Sequence, residues 1–144
     1  MYRLTIAQAN ALVEAGVVEA ARLGLKPLSF GVFDPGGNLI AFQRQDGAPQ
    51  VGIKVVTGKA SGALALGVPS RKVGELAVER PHVIGAIGGL NAGAGGMVPA
   101  AGALLVRDGQ GTIVGAMASS GDTSDNDELA VLGAIKAVGL DPGI

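Results

Sequence analysis

The run Ser119-Ser120-Gly121-Asp122-Thr123-Ser124-Asp125-Asn126-Asp127-Glu128 constrains the fold more tightly than any other stretch of the chain. An apolar segment, Ile113-Val114-Gly115-Ala116-Met117-Ala118, leads into it, and a helical pattern from Leu129 to Val138 leaves it. A strand therefore ends in a glycine turn, and a helix starts among four acids. Ser124 and Asp127 have the spacing of a capping box, and carboxylates in a first turn complement the helix dipole. Capping accounts for the cluster without a metal ion. No glycine-spaced loop of the calcium-binding type accompanies it, so no metal site is assigned. Nor does a helix start already ringed by negative charge suit a phosphate.

The rest of the chain supplies partners for that strand and helix. Thr5 with Gln8 predicts a capped helix, and Ile6, Ala9, Leu12, Val13, Val17 and Ala20 recur along it at helical spacing until Gly24. Leu28 to Phe33 and Leu39 to Arg44 read as a hairpin around Asp34-Pro35-Gly36-Gly37-Asn38. A second helix, from about Gln50 to Leu66, carries Gly52, Gly58 and Gly62. Interior glycines cost a helix roughly 1 kcal/mol each relative to alanine, which points to close approach of another backbone. A short third helix runs from Ser70 to Glu79 and stops at Pro81. His82 to Gly102 is so rich in glycine and alanine that it reads as one long loop, and long loops in compact domains are usually functional. A second hairpin, Ala103–Val106 and Thr112–Ala118, precedes the last helix. The pattern is α+β, one domain over residues 1–144, with a mainly antiparallel sheet of two hairpins flanked by helices.

Composition excludes several functions. The net charge is −1, there is no basic run, and only four residues are aromatic. Nucleic-acid binding needs clustered cations and often aromatic platforms, so no nucleic-acid partner is expected. No stretch reaches the roughly 18 apolar residues that cross a bilayer, and the N-terminus shows no signal-peptide core, so a cytoplasmic protein with no membrane partner is expected. The absence of cysteine removes disulfides, thiolate metal sites and cysteine nucleophiles. Charged residues make up only 16% of the chain against 48% apolar. Too little polar surface remains to cover a monomer comfortably, which predicts a homo-oligomer. A rival reading is that Gly and Ala swell the apolar count while exposing little surface.

Four motifs add a resemblance. Asp34-Pro35-Gly36-Gly37-Asn38-Leu39 followed by Arg44-Gln45-Asp46-Gly47-Ala48, Gly58-Lys59-Ala60, the Val98-Pro99 to Gly102 approach to the third strand, and Gly121 to Glu128 together resemble the haem-degrading or haem-binding domain family. The resemblance covers nearly the whole chain. It implies a profilin-like fold, oligomers that are often large, and haem or corrinoid association for some members. Haem is the cofactor it suggests here.

Candidate site residues follow from side-chain chemistry. His82, the sole histidine, could be an axial haem ligand, a general acid or base, or a solvent-facing helix-end residue. Arg44 suits a carboxylate, with Lys59 as a second cation and Asp46 nearby, while an Arg44–Asp46 surface contact and solvated lysines are the alternative. The leading expectation is an oligomeric protein that holds a tetrapyrrole or another small anionic metabolite. Its pocket would lie between the 81–102 segment, the Arg44–Pro49 loop and a neighbouring subunit. The alternative is a cofactor-independent isomerase or lyase acting on a small carbonyl or carboxylate metabolite, with His82 or an acid as base and Arg44 as carboxylate clamp. Ser119 and Ser120 have no base beside them for a serine triad, and the glycines from Gly88 to Gly96 lack the features of a phosphate loop.

Overall fold

The computed structural model describes residues 3–144. Helix α1 spans Ile6–Leu23, and the Thr5–Gln8 capping box forms as expected, with the Gln8 amide N–H 3.1 Å from Thr5 Oγ1 and the Thr5 amide N–H 2.9 Å from Gln8 Oε1. Strands β1 (Ser29–Phe33) and β2 (Leu39–Arg44) make the first hairpin. Helices α2 (Gly52–Leu66), α3 (Ser70–Glu79) and α4 (Pro81–Leu90) follow, then a 3-10 turn at Ala92–Ala94. Strands β3 (Ala103–Arg107) and β4 (Ile113–Ser120) make the second hairpin, and α5 (Ser124–Ala137) is the last helix. The fold is α+β, with one antiparallel sheet in the order β2-β1-β4-β3.

Every residue of β1 is buried, because β1 is central and covered on both faces. On one face Phe30, Val32 and Met117 meet Leu12 and Val13 of α1 and Val131 and Ile135 of α5. On the other, Phe33, Leu105, Ala116 and Ala118 meet Val56, Ala60 and Ala63 of α2. The outer edge of β3 is closed by a bridge in which Arg107 and Asp141 exchange backbone hydrogen bonds. No helix among the described residues is long and apolar enough to cross a membrane.

The glycines of α2 do what their spacing suggested. The Val98 amide N–H donates to the Gly58 carbonyl at 3.1 Å, so a second backbone lies directly on the helix. A Cβ built on Gly58 would stand 2.5 Å from a Val98 methyl, and one on Gly62 would stand 3.0 Å from Met97 Cγ.

The 82–102 segment differs from expectation. Half of it is helix: Pro81 ends α3 and also occupies the first turn of α4, where its missing N–H and fixed φ are harmless. Val83, Ile84, Ile87 and Leu90 have helical spacing, but Gly85, Gly88 and Gly89 between them obscured it. Packing against α3 outweighs their poor propensity.

Two alanine substitutions should therefore have opposite signs. Gly58→Ala should destabilise the protein by about 1–3 kcal/mol through the overpacked Val98 contact. Gly89→Ala, where an added methyl meets nothing within 4 Å, should stabilise it by up to about 1 kcal/mol. Urea denaturation of the two variants checks both.

Candidate functional site

The acid cluster resolves into three separate arrangements. Thr123, not Ser124, caps α5, its Oγ1 accepting from the Asn126 amide N–H at 3.2 Å. Asp122 stands just outside the helix and collects N–H donors: the Lys26 amide at 2.8 Å, the Thr123 amide at 2.7 Å and Asn126 Nδ2 at 2.8 Å. These hydrogen bonds, the one from Lys26 first, hold its carboxyl down at about 2. Asp125 and Glu128 both receive Arg71 from α3, at 2.6 and 3.2 Å.

Asp127 is the buried member. Its Oδ2 lies 3.1 Å from Lys59 Nζ, and both side chains are only 3% exposed. Lys59 Nζ also donates to the Ser119 carbonyl at 3.0 Å, and Asp127 Oδ1 accepts the Asp122 amide N–H at 3.0 Å. Burial pushes the Asp127 carboxyl above its ordinary value, opposed by the charge of Lys59. Gly102 is required beside this pair. Its φ is +135°, and a Cβ there would stand 2.6 Å from Lys59 Nζ and 2.7 Å from the Ser119 carbonyl oxygen. Lys59 thus neither reaches solvent nor lies beside Arg44. No group of three or more His, Asp or Glu side chains among the described residues could hold a metal ion.

Arg44 and Asp46 are exposed, and neither side chain has a hydrogen bond or ion pair among the described residues. Arg44 ends β2, the open edge of the sheet. Asp46 lines a cleft of about 300 Å³ with Gln45, Leu25 and Pro27, at the C-terminal end of α1. His82 is exposed in the first turn of α4, which packs on α3, and α3 packs in turn on α2 and on β3 at the other edge of the sheet. No described cleft is lined by both Arg44 and His82.

The largest described cleft, about 400 Å³, is an apolar groove lined by Ala77, Pro81, Ile84, Gly85, Gly88, Met97 and Pro99. From Pro81 to Val106 the chain contains no Asp, Glu, Lys or Arg. Only Ile84 of α4 is buried, and Leu90 and Val78 nearby are 89% and 84% exposed. His82 sits between two lining residues, and Arg80, exposed and unpaired among the described residues, precedes Pro81. Sequence reasoning missed Arg80 and Met97. The absence of charge over this stretch was the available signal.

The family described as "Haem degrading protein HbpS-like" matches residues 4–136. Among solved structures, a PduOC:heme complex is similar over 97% of this chain and 98% of its own, with a TM-score of 0.80 and 22% identity. An HbpS double mutant from Streptomyces reticuli is similar over 96% and 89%, with a TM-score of 0.80 and 24% identity. The Klebsiella pneumoniae protein ORFY is similar over 94% and 90%, with a TM-score of 0.79 and 24% identity. At these identities the likeness is one of fold. No curated protein matches the sequence.

Two outcomes follow for the polar cluster. Lys59→Met should cost about 3–5 kcal/mol by stranding the Asp127 carboxylate, and adding Asp127→Asn, which keeps an oxygen for the Asp122 N–H, should recover most of it. A double-mutant cycle by denaturant unfolding measures this. Because Asp122 is held below its ordinary value of 3.8, its contribution is present above that value and is lost as pH falls towards 2. The Asp122→Asn variant should lack that part of the acid-induced loss in melting temperature.

Proposed function

Since the chain belongs to the HbpS-like haem-degrading protein family, we propose that it binds haem in the apolar groove between α3, α4 and the Met97–Pro99 segment. The observation that carries this reading is the charge-free 81–106 stretch, which supplies six of the seven residues lining a cleft of about 400 Å³. Ligand pockets are typically roughly 300–1,000 Å³, mostly apolar, with a few polar groups that fix orientation. Haem has an apolar ring with carboxylates at one edge, and its iron accepts an electron-pair donor from a protein side chain. The residues present fit such a group. Pro81, Ile84 and Pro99 offer an apolar slot, and Gly85 and Gly88 leave its wall flat. Arg80 is an unpaired cation for a carboxylate, and His82 is an imidazole at the margin. When bound, haem supplies iron chemistry; the chain's part is to orient the ring and exclude water from one face.

A second copy of the chain completes this reading. Val78 and Leu90 are large apolar side chains left in water at the ends of α3 and α4, the helices that flank the groove. A neighbouring subunit that covers them would bury the outward face of the ring as well.

Titration with haemin tests the proposal. The wild-type protein should shift the Soret band with saturation, whereas Gly85→Glu, which places a carboxylate in the groove where an added Cβ meets no atom within 4 Å, should weaken binding about tenfold, or about 1.4 kcal/mol. No Soret shift in the wild type, or equal binding by the variant, would overturn the assignment.

A further inference from the structure

We infer that Met97 is the side chain that ligates the iron from within the groove, an inference that rests on the haem reading above. Six of the seven lining residues carry hydrocarbon side chains or none. Met97 is therefore the only lining residue whose side chain carries an electron-pair donor, its thioether sulfur. His82 lies beside the groove but is exposed on the first turn of α4 and does not line it.

The backbone on both sides of Met97 is fixed. On its N-terminal side the Gly96 carbonyl accepts from Ser61 Oγ at 2.5 Å and from Asn91 Nδ2 at 2.6 Å. On its C-terminal side the Val98 amide N–H donates to the Gly58 carbonyl at 3.1 Å. Gly62 leaves room for the side chain to lie across α2, since a Cβ there would press on Met97 Cγ at 3.0 Å. Met97 itself is only partly buried. A pinned backbone that carries one partly buried, flexible thioether side chain is the preorganisation a ligating side chain needs.

Ligand softness gives the inference a signature that simple apolar contact lacks. A thioether donor favours the reduced iron and raises the haem potential relative to imidazole or oxygen donors. The wild-type protein should therefore bind ferrous haem about tenfold more tightly than ferric haem. In Met97→Leu, a volume-conserving change that preserves the groove, ferric binding should stay within about twofold while the ferrous preference disappears. His82→Ala should keep that preference.

The experiment titrates haem under oxidising conditions and again after chemical reduction, recording absorption spectra of wild type, Met97→Leu, Met97→His and His82→Ala, with thermal melts to confirm that each is folded. Loss of the ferrous signature in Met97→Leu, together with an imidazole-type spectrum in Met97→His, supports the inference. Haem bound by wild type and Met97→Leu with identical spectra and the same ferrous-to-ferric ratio overturns Met97 while leaving haem binding intact. Loss of the signature in His82→Ala alone likewise overturns it, in favour of His82. Failure of the wild type to bind either form overturns the haem reading and this inference with it.

Discussion

The buried contact between Lys59 and Asp127 fixes the relation between the two layers of helices. Lys59 belongs to α2, on one face of the sheet, and Asp127 to α5, on the other; they meet at 3.1 Å beside the end of β4. Both charges are almost wholly removed from water, so neither can exchange its partner for solvent without a large penalty. A pair of this kind contributes less to net stability than to uniqueness, because any slip of α2 leaves an ion unpaired. Gly58 adjoins Lys59, and one helical turn later comes Gly62. The ion pair that locates α2 therefore also locates the surface on which Met97 and Val98 lie.

That surface is where the chain departs from ordinary packing. A helix in a soluble domain normally buries an apolar stripe and shows a charged face to water. Helix α4 instead buries only Ile84, and the rest of its surface has no charge apart from what His82 carries. Its glycines lower its helical propensity, so its stability comes from packing on α3 and on the 3-10 turn. Single exposed apolar residues are commonplace, but an uncharged helix beside a groove, with Val78 and Leu90 at the ends of α3 and α4 almost fully in water, presents more apolar surface than one such residue does. Such a surface is suited to being covered, and an apolar ring and a second copy are compatible covers.

Local chemistry made much of the fold legible. The Thr5–Gln8 box, the Asp34–Asn38 turn and the two hairpins could be read because each depends on residues within a few positions of one another. The same logic placed the start of the last helix to within one residue, erring only because Thr123 and Ser124 are equally good caps. Helix α4 was not legible because Gly85, Gly88 and Gly89 lower its helical propensity and mask the spacing of Val83, Ile84, Ile87 and Leu90. The roles of Lys59 and of the acids were not legible. Lys59 and Asp127 are 68 positions apart, Arg71 and Glu128 57, and no local pattern links such partners. Met97 was invisible for a similar reason: its significance comes from what lines the groove with it.

The distribution of charge connects these observations. Asp125 and Glu128 share Arg71, Asp127 is paired with Lys59, and Asp122 is occupied by three N–H donors. Each acid of the densest acidic cluster in the sequence thus has a partner inside the molecule, at the junction of α2, α3 and α5. The 81–106 stretch, by contrast, has no charge to compensate. A ligand approaching α4 meets an apolar wall, with the unpaired Arg80 at its start. An anionic head with an apolar body suits that arrangement, because its carboxylate gains a cation while its ring displaces water from hydrocarbon. A small, fully polar metabolite would find only the first of these. A wall of this kind favours ligands by their apolar area, and an unpaired cation at one end of it favours those that carry an anionic head on one side.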